Sequence, residues 1–311
     1  MVRSDDLAGR AYPPTRPYRV TREAVEAFAA ALGDADPAYP ALAPPTFNAV
    51  LAARAWQGLF DDPEVGCSLS RTIHTDQAFT FIRPIRPGDE LEARLAVERA
   101  RERASSLWLT LRVDIATTAG EPVCLARATL VHSAGTAAAR AGSRDAAATA
   151  PAAASSPGTG RGAGPAPGWR PEPGAVLPGL TLAVTQPQVR QYALASGDDN
   201  PIHVSDAAAR ALGLPGAVAH GLLTMGLALR VVTQAGVDVA DVRTWRARFV
   251  RPLPVPPDGV ALHLAGRVTD VSGGEATVAV EAGYDAAGEV RIGVLAGAVA
   301  TVAVHAGRAD R

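Results

Sequence analysis

Residues 192–205 read YALASGDDNPIHVS: two aspartates, an asparagine, a proline and a histidine follow directly on an apolar helical run. An Asn-Pro pair favours a turn, so Asp198 and His203 can face one point although four residues separate them. Near the other end, residues 31–40 read ALGDADPAYP, a degraded copy of the same turn.

The copies sit in matching surroundings, and an ordered repeat of this kind is the main organisational signal in the chain. In the first half, TREAVEAFAAAL (21–32) places Val25, Phe28 and Leu32 on one helical face behind Thr21 as N-cap. In the second, TQPQVRQYALAS (185–196) has Thr185 and Gln188 at capping-box spacing. Each turn leads to a long apolar helix, PPTFNAVLAARAWQGLF from Pro44 and HGLLTMGLALRVVTQ from His220. An F-x-R-P strand follows in both halves, FIRPIRPGDEL at Phe81 and FVRPLPVPPDGVAL at Phe249. Alternating strands close each half: SLWLTLRVDIATT sets Leu107, Leu109, Leu111, Val113 and Ile115 on one face, and VRIGVLAGAVATVAV ends the second. A helix followed by several long strands, twice over, predicts α+β units in which a sheet wraps one central helix.

Between the halves, residues 134–168 contain no Val, Ile, Leu, Met or aromatic residue. Such a stretch buries too little to offset its ordering entropy and reads as a disordered Ala/Gly/Pro-rich linker. The expected organisation is a first domain at 15–133, a linker at 134–172 and a second domain at 173–306. With 30 basic against 31 acidic residues, bulk charge points to neither nucleic acid nor an anionic membrane as partner. The N-terminal MVRSDDLAGRAYPPTRP has no apolar core of a signal peptide, no apolar run approaches membrane-spanning length, and Cys67 and Cys124 stand far apart without metal-ligand spacing. These features predict free thiols, no metal, and a cytoplasmic protein.

On YALASGDDNPIH and the Gly-led helix of AHGLLTMG, the second half resembles the MaoC-type hydratase/dehydratase family of the hotdog superfold. On DADPAY, PPTF and HTDQAFTFIRPIRPGDEL, the first half resembles the noncatalytic partner of two-subunit (3R)-hydroxyacyl-ACP dehydratases. The resemblance implies a double hotdog acting as a hydro-lyase. It would dehydrate (3R)-hydroxyacyl thioesters, or in reverse hydrate 2-enoyl thioesters, carried on CoA or acyl carrier protein with no other cofactor. Asp198 and His203 would share a catalytic water and carry the two proton transfers, and Gly221 would offer its backbone N–H to the thioester oxygen with the helix dipole behind it. Packing at the helix start is the other reading of Gly221. Asn200 serves as catalytic support or as an Asx-type turn former.

Aligning the copies sets Tyr39 against His203 and APPTF against AHGLL, so histidine and glycine are both missing from the first half. A tyrosine, with a pKa near 10, is no comparable base at neutral pH. One active site per chain is expected, with the first half pairing edge to edge with the second and shaping an acyl tunnel; Phe47, Val50, Leu51, Trp56 and Phe60 read either as its lining or, by their helical spacing, as simple core. Arg246 and Arg248, with Arg243, are candidates for meeting an anionic carrier. Arg83 and Arg251 read as phosphate contacts or as salt-bridge formers. His220 reads as packing or capping the helix, with contact to substrate as its other reading, and His74, His132, His263 and His305 as structural. A hotdog thioesterase and a noncatalytic acyl-thioester-binding protein are the alternatives. Chain length, carrier, direction and dimerisation of the whole chain stay open.

Overall fold

The computed structural model describes residues 7–34, 36, 38–39, 41–133, 169–286 and 291–305. The expected linker at 134–168 lies outside the described residues. In the first half come β1 (Tyr18–Arg19), α1 (Arg22–Ala31), α2 (Asn48–Phe60), β2 (Thr72–Phe81), β3 (Glu90–Arg103), β4 (Ser106–Thr117) and β5 (Pro122–Ser133). The second half has β6 (Val176–Val184), α3 (Gln186–Ser196), α4 (Asp206–Ala211), α5 (Gly221–Thr233), β7 (Val242–Phe249), β8 (Val260–Ser272), β9 (Glu275–Tyr284), β10 (Ile292–Gly293) and β11 (Leu295–Ala303).

All eleven strands join one antiparallel sheet in the order β1-β3-β4-β5-β2-β7-β11-β9-β8-β6, with β10 on β9. The halves meet where β2 pairs with β7, in the register Asp76 with Arg248, Ala78 with Arg246 and Thr80 with Thr244. Edge-to-edge pairing thus takes place within one chain and removes two exposed edges. The packed chain extends beyond the expected domain limits. Leu7 is buried and Gly9 N–H donates to the Val97 carbonyl, so the segment before residue 15 lies along β3. Trp169 packs against the core from within the stretch assigned to the linker.

Local sequence explains the elements. Thr21 Oγ1 accepts from Ala24 N–H and starts α1, whose Val25 and Phe28 are buried with Leu32 just beyond. Thr185 Oγ1 accepts from Gln188 N–H and starts α3, but Gln188 does not close a capping box: its Nε2 donates to the Ala31 carbonyl of the other half. The strand β4 alternates as expected, with Leu109, Leu111, Val113 and Ile115 buried. Helices α2 and α5 pack on the inner face of the sheet, and α5 is buried almost throughout because its sequence is apolar on every side. Trp245 of β7, fully buried, donates Nε1–H to the Met225 carbonyl and ties the central strand to α5.

Helix α5 also touches the first half closely. A Cβ at Gly226 would lie 2.7 Å from Leu32 Cδ2 and 3.0 Å from Thr46 Oγ1. Gly226→Val is therefore expected to lower stability by about 1–3 kcal/mol through overpacking, offset only slightly by better helix propensity. Thermal unfolding measures this, and an unchanged Tm would refute close packing between the halves. Both cysteines are free and buried. Among the described residues no helix is long and apolar enough to cross a membrane.

Candidate active site

The turn after α3 is built by its own residues. Gly197 ends the helix with φ 75°, a left-handed backbone that only glycine adopts without strain, and its N–H donates to the Ala193 carbonyl. Asn200 N–H donates to Asp198 Oδ1 at 3.3 Å, and Asn200 Oδ1 accepts from Ile202 N–H at 3.4 Å, an Asx turn opening the 3₁₀ turn Pro201–His203. The Asn200 Nδ2 reaches across to the Leu69 carbonyl of the first half at 3.4 Å. Both ends of its amide are engaged in holding the loop, which favours the turn-forming reading of this residue.

This turn brings Asp198 and His203 together and adds a third group. Asp198, His203 and His220 each present a polar side-chain atom within 4.8 Å of the other two. The His203 Nδ1–H donates to the Val218 carbonyl at 2.8 Å, leaving the Nε2 lone pair free. Burial pushes the His203 pKa down, opposed by the Asp198 charge and the Val218 carbonyl, so the ring is neutral at neutral pH. His220 stacks on it with ring centroids 3.7 Å apart and 28° between planes, and donates Nε2–H to the Asp198 carbonyl at 3.1 Å. Burial first, and then His203, push the His220 pKa down to about 2.

Gly221 opens α5, and among the described residues no side chain caps this helix start. A Cβ there would lie 3.0 Å from the Phe249 ring, so packing alone already favours glycine. Phe249 meets His74 edge-on at 5.0 Å and His74 meets Trp56 edge-on at 5.1 Å, a row of rings from the first half to the Gly221 corner. Trp56 thus comes near the site. Phe47 does not: fully buried, it packs on Phe28 at 5.3 Å as a core residue. Arg246 and Arg248 are exposed and alternate with the buried Trp245 and Ala247, so period-two geometry turns them to the outer sheet face, away from the α5 start. Arg83 pairs with Asp89 and Glu121, whereas Arg251 donates to the Gly293 carbonyl, so the two matched arginines do different structural work.

The first copy keeps one hydrogen bond of the turn and has tyrosine in place of the histidine. Tyr39 N–H donates to the Asp36 carbonyl as His203 N–H does to Asn200. The Tyr39 hydroxyl approaches Asp34 Oδ2 at 3.5 Å, and Arg230 of α5 supplies the neighbouring charge. His220 as a bridge and His74 as a neighbour of the site were missed by sequence reasoning; the AHG tripeptide was a signal for the first, and nothing local pointed to the second.

Residues 172–290 match a family model described as MaoC like domain, and residues 6–126 match one described as FAS1-like, dehydratase domain region. A UPF0336 protein of Cutibacterium acnes is 44% identical over 135 residues, covering 42% of this chain and 94% of that protein. A UPF0336 protein of Streptomyces coelicolor is 38% identical over 146 residues, covering 43% and 97%. Among solved structures, a MaoC-like dehydratase superposes with a TM-score of 0.80 at 25% identity, covering 97% of this chain and 100% of its own. A conserved hypothetical protein of Mycobacterium tuberculosis with a double hotdog fold superposes with a TM-score of 0.65 at 19% identity, covering 96% and 97%. The fold is a double hotdog.

Proposed function

From the premise that the chain's second half carries a MaoC like domain at residues 172–290, we propose that this half interconverts (3R)-hydroxyacyl and 2-enoyl thioesters by removing or adding water. The observation that carries this reading is the convergence of the Asp198 carboxylate and the free Nε2 lone pair of neutral His203 beside the uncapped start of α5. In the hydration direction, water held between the two groups attacks C3. One group takes the proton that leaves the water as its oxygen bonds to C3, and that same proton, relayed through the pair, is delivered to C2, so that both groups end as they began. Electron density moves through the C2–C3 double bond onto the thioester oxygen as C3 is attacked, and returns when C2 is protonated. The Gly221 N–H and the α5 dipole stabilise that oxygen while it is charged. Every step is a proton transfer or a C–O bond change, so the chemistry calls on no redox cofactor.

The carrier is CoA or the pantetheine of an acyl carrier protein. The first half does no chemistry. It holds the active loop through the Leu69 carbonyl and sets the Trp56 and His74 rings beside the site. The test is the loss of enoyl absorbance on mixing purified protein with crotonyl-CoA, a longer 2-enoyl-CoA, and the same acyl groups on acyl carrier protein. Hydration of any one supports the reading. Failure of all, with binding retained, moves the assignment to an acyl-thioester-binding protein; thiol release from a saturated acyl-CoA would mark a thioesterase.

A further inference from the structure

We infer that His220 is the positioning residue of the Asp198 and His203 pair, fixing both partners at once while touching no reacting atom. The inference rests on the proposed reaction for its meaning. His220 holds Asp198 by its backbone, through Nε2–H to the carbonyl at 3.1 Å, and holds His203 by its ring, stacked at 3.7 Å. The Asp198 backbone at one end of the turn and the His203 imidazole at the other are thereby tied to a single ring.

An internal control argues that this is its job rather than starting the helix. At the matching place in the first half stands Pro44, with φ −50° and ψ 140°, against −59° and 137° at His220. The preceding residues are also tied alike, Ala43 N–H to the Ile85 carbonyl and Ala219 N–H to the Leu253 carbonyl. A proline therefore serves this backbone equally well, and His220 makes no side-chain cap for α5. What the first half lacks is the pair: Tyr39 where His203 stands and Pro44 where His220 stands. The two stacked rings are absent together from the half that does no chemistry.

The surroundings explain how the stack acts on His203. His220 is 1% exposed and its Nδ1 has no hydrogen-bond partner among the described residues, so it presents a neutral, dry ring face. Around the pair stand Asp198 from the same loop, Tyr192 of α3 with its ring 5.1 Å from that of His220, and His74 of β2, on which the Asp198 charge also acts. The Asp198 charge favours the protonated form of His203. The His220 ring opposes this by excluding water, which keeps His203 a base.

His220→Ala and His220→Phe test the assignment, with circular dichroism and Tm as fold controls. In His220→Ala, kcat should fall at least about tenfold while KM changes little, because a loosened pair is misplaced rather than unbound. The NMR titration midpoint of the His203 ring should rise toward 6.5, carrying the acid limb of kcat/KM with it. His220→Phe should keep the depressed midpoint, since its ring still excludes water, and lose kcat, since the Asp198 carbonyl loses its donor. An unmoved midpoint in His220→Ala, or a kcat that tracks only the loss of Tm, overturns the inference. The NMR readout needs no substrate, so a wild-type protein that hydrates no thioester would refute the reaction while leaving the role of His220 to be decided by the midpoint.

Discussion

Asp198→Asn and His203→Ala are each expected to reduce kcat for enoyl-thioester hydration by about 10²- to 10⁴-fold, the range for removal of a positioned acid or base. The asparagine variant isolates chemistry from structure. Its side-chain carbonyl can still accept the Asn200 N–H now bonded to Asp198 Oδ1 at 3.3 Å, so the turn survives while the proton-carrying carboxylate is gone. In His203→Ala the lost bond to the Val218 carbonyl lies at the edge of the same turn, and Asn200 still holds the loop to Leu69. The double variant should be hardly worse than either single one, because two groups that share one water act as a unit. Asp34→Asn in the first half should leave turnover unchanged, since the residue facing it is Tyr39. Initial rates at saturating substrate, with Tm measured alongside, check all four proteins. Equal losses at Asp34 and Asp198 would mean that both halves carry out the reaction.

What the sequence made legible follows from how local each signal is. The turn YALASGDDNPIH is specified by contiguous residues, with Gly197 for the left-handed cap and Asn200 with Pro201 for the turn, so Asp198 and His203 could be read as converging. Helix starts at Thr21 and Thr185 and the alternation of β4 were legible for the same reason. The position of His74 was not. It sits beside Phe249 because β2 pairs with β7, and an inter-strand register across a long connecting segment leaves no trace in either strand alone. Arg246 and Arg248 show the converse error. Their charge attracted attention, whereas the alternation around Trp245 and Ala247, which decides the face they occupy, was already in the sequence. Phe47 and Trp56 share a helical stretch and similar burial, and only three-dimensional packing separates the core ring from the one beside the site.

The histidines that build this region also predict how the fold responds to acid. Burial holds the His220 pKa down at about 2 and that of His74 at about 4, against 6.5 for the unfolded chain. A group with a depressed folded pKa binds more protons when unfolded, so for a histidine the penalty is absent above pH 6.5 and grows as pH falls below it. At pH 5 each of these two residues should remove about 2 kcal/mol of stability. Together they take a large part of the 5–15 kcal/mol that a folded domain typically has. His203 and His132, also pushed down by burial, add to the same trend. Asp34, whose carboxyl is pushed up by burial, works the other way, but only toward the carboxylate range. Urea denaturation at pH 7 and pH 5 should therefore show a large fall in midpoint with little change in slope. His74→Phe separates the contributions, since a phenyl ring suits the slot between Trp56 and Phe249 and cannot take up a proton. Its loss between pH 7 and 5 should be smaller than that of wild type by about 2 kcal/mol. An undiminished loss would mean that His74 titrates normally and that the row of rings beside the site is open to water.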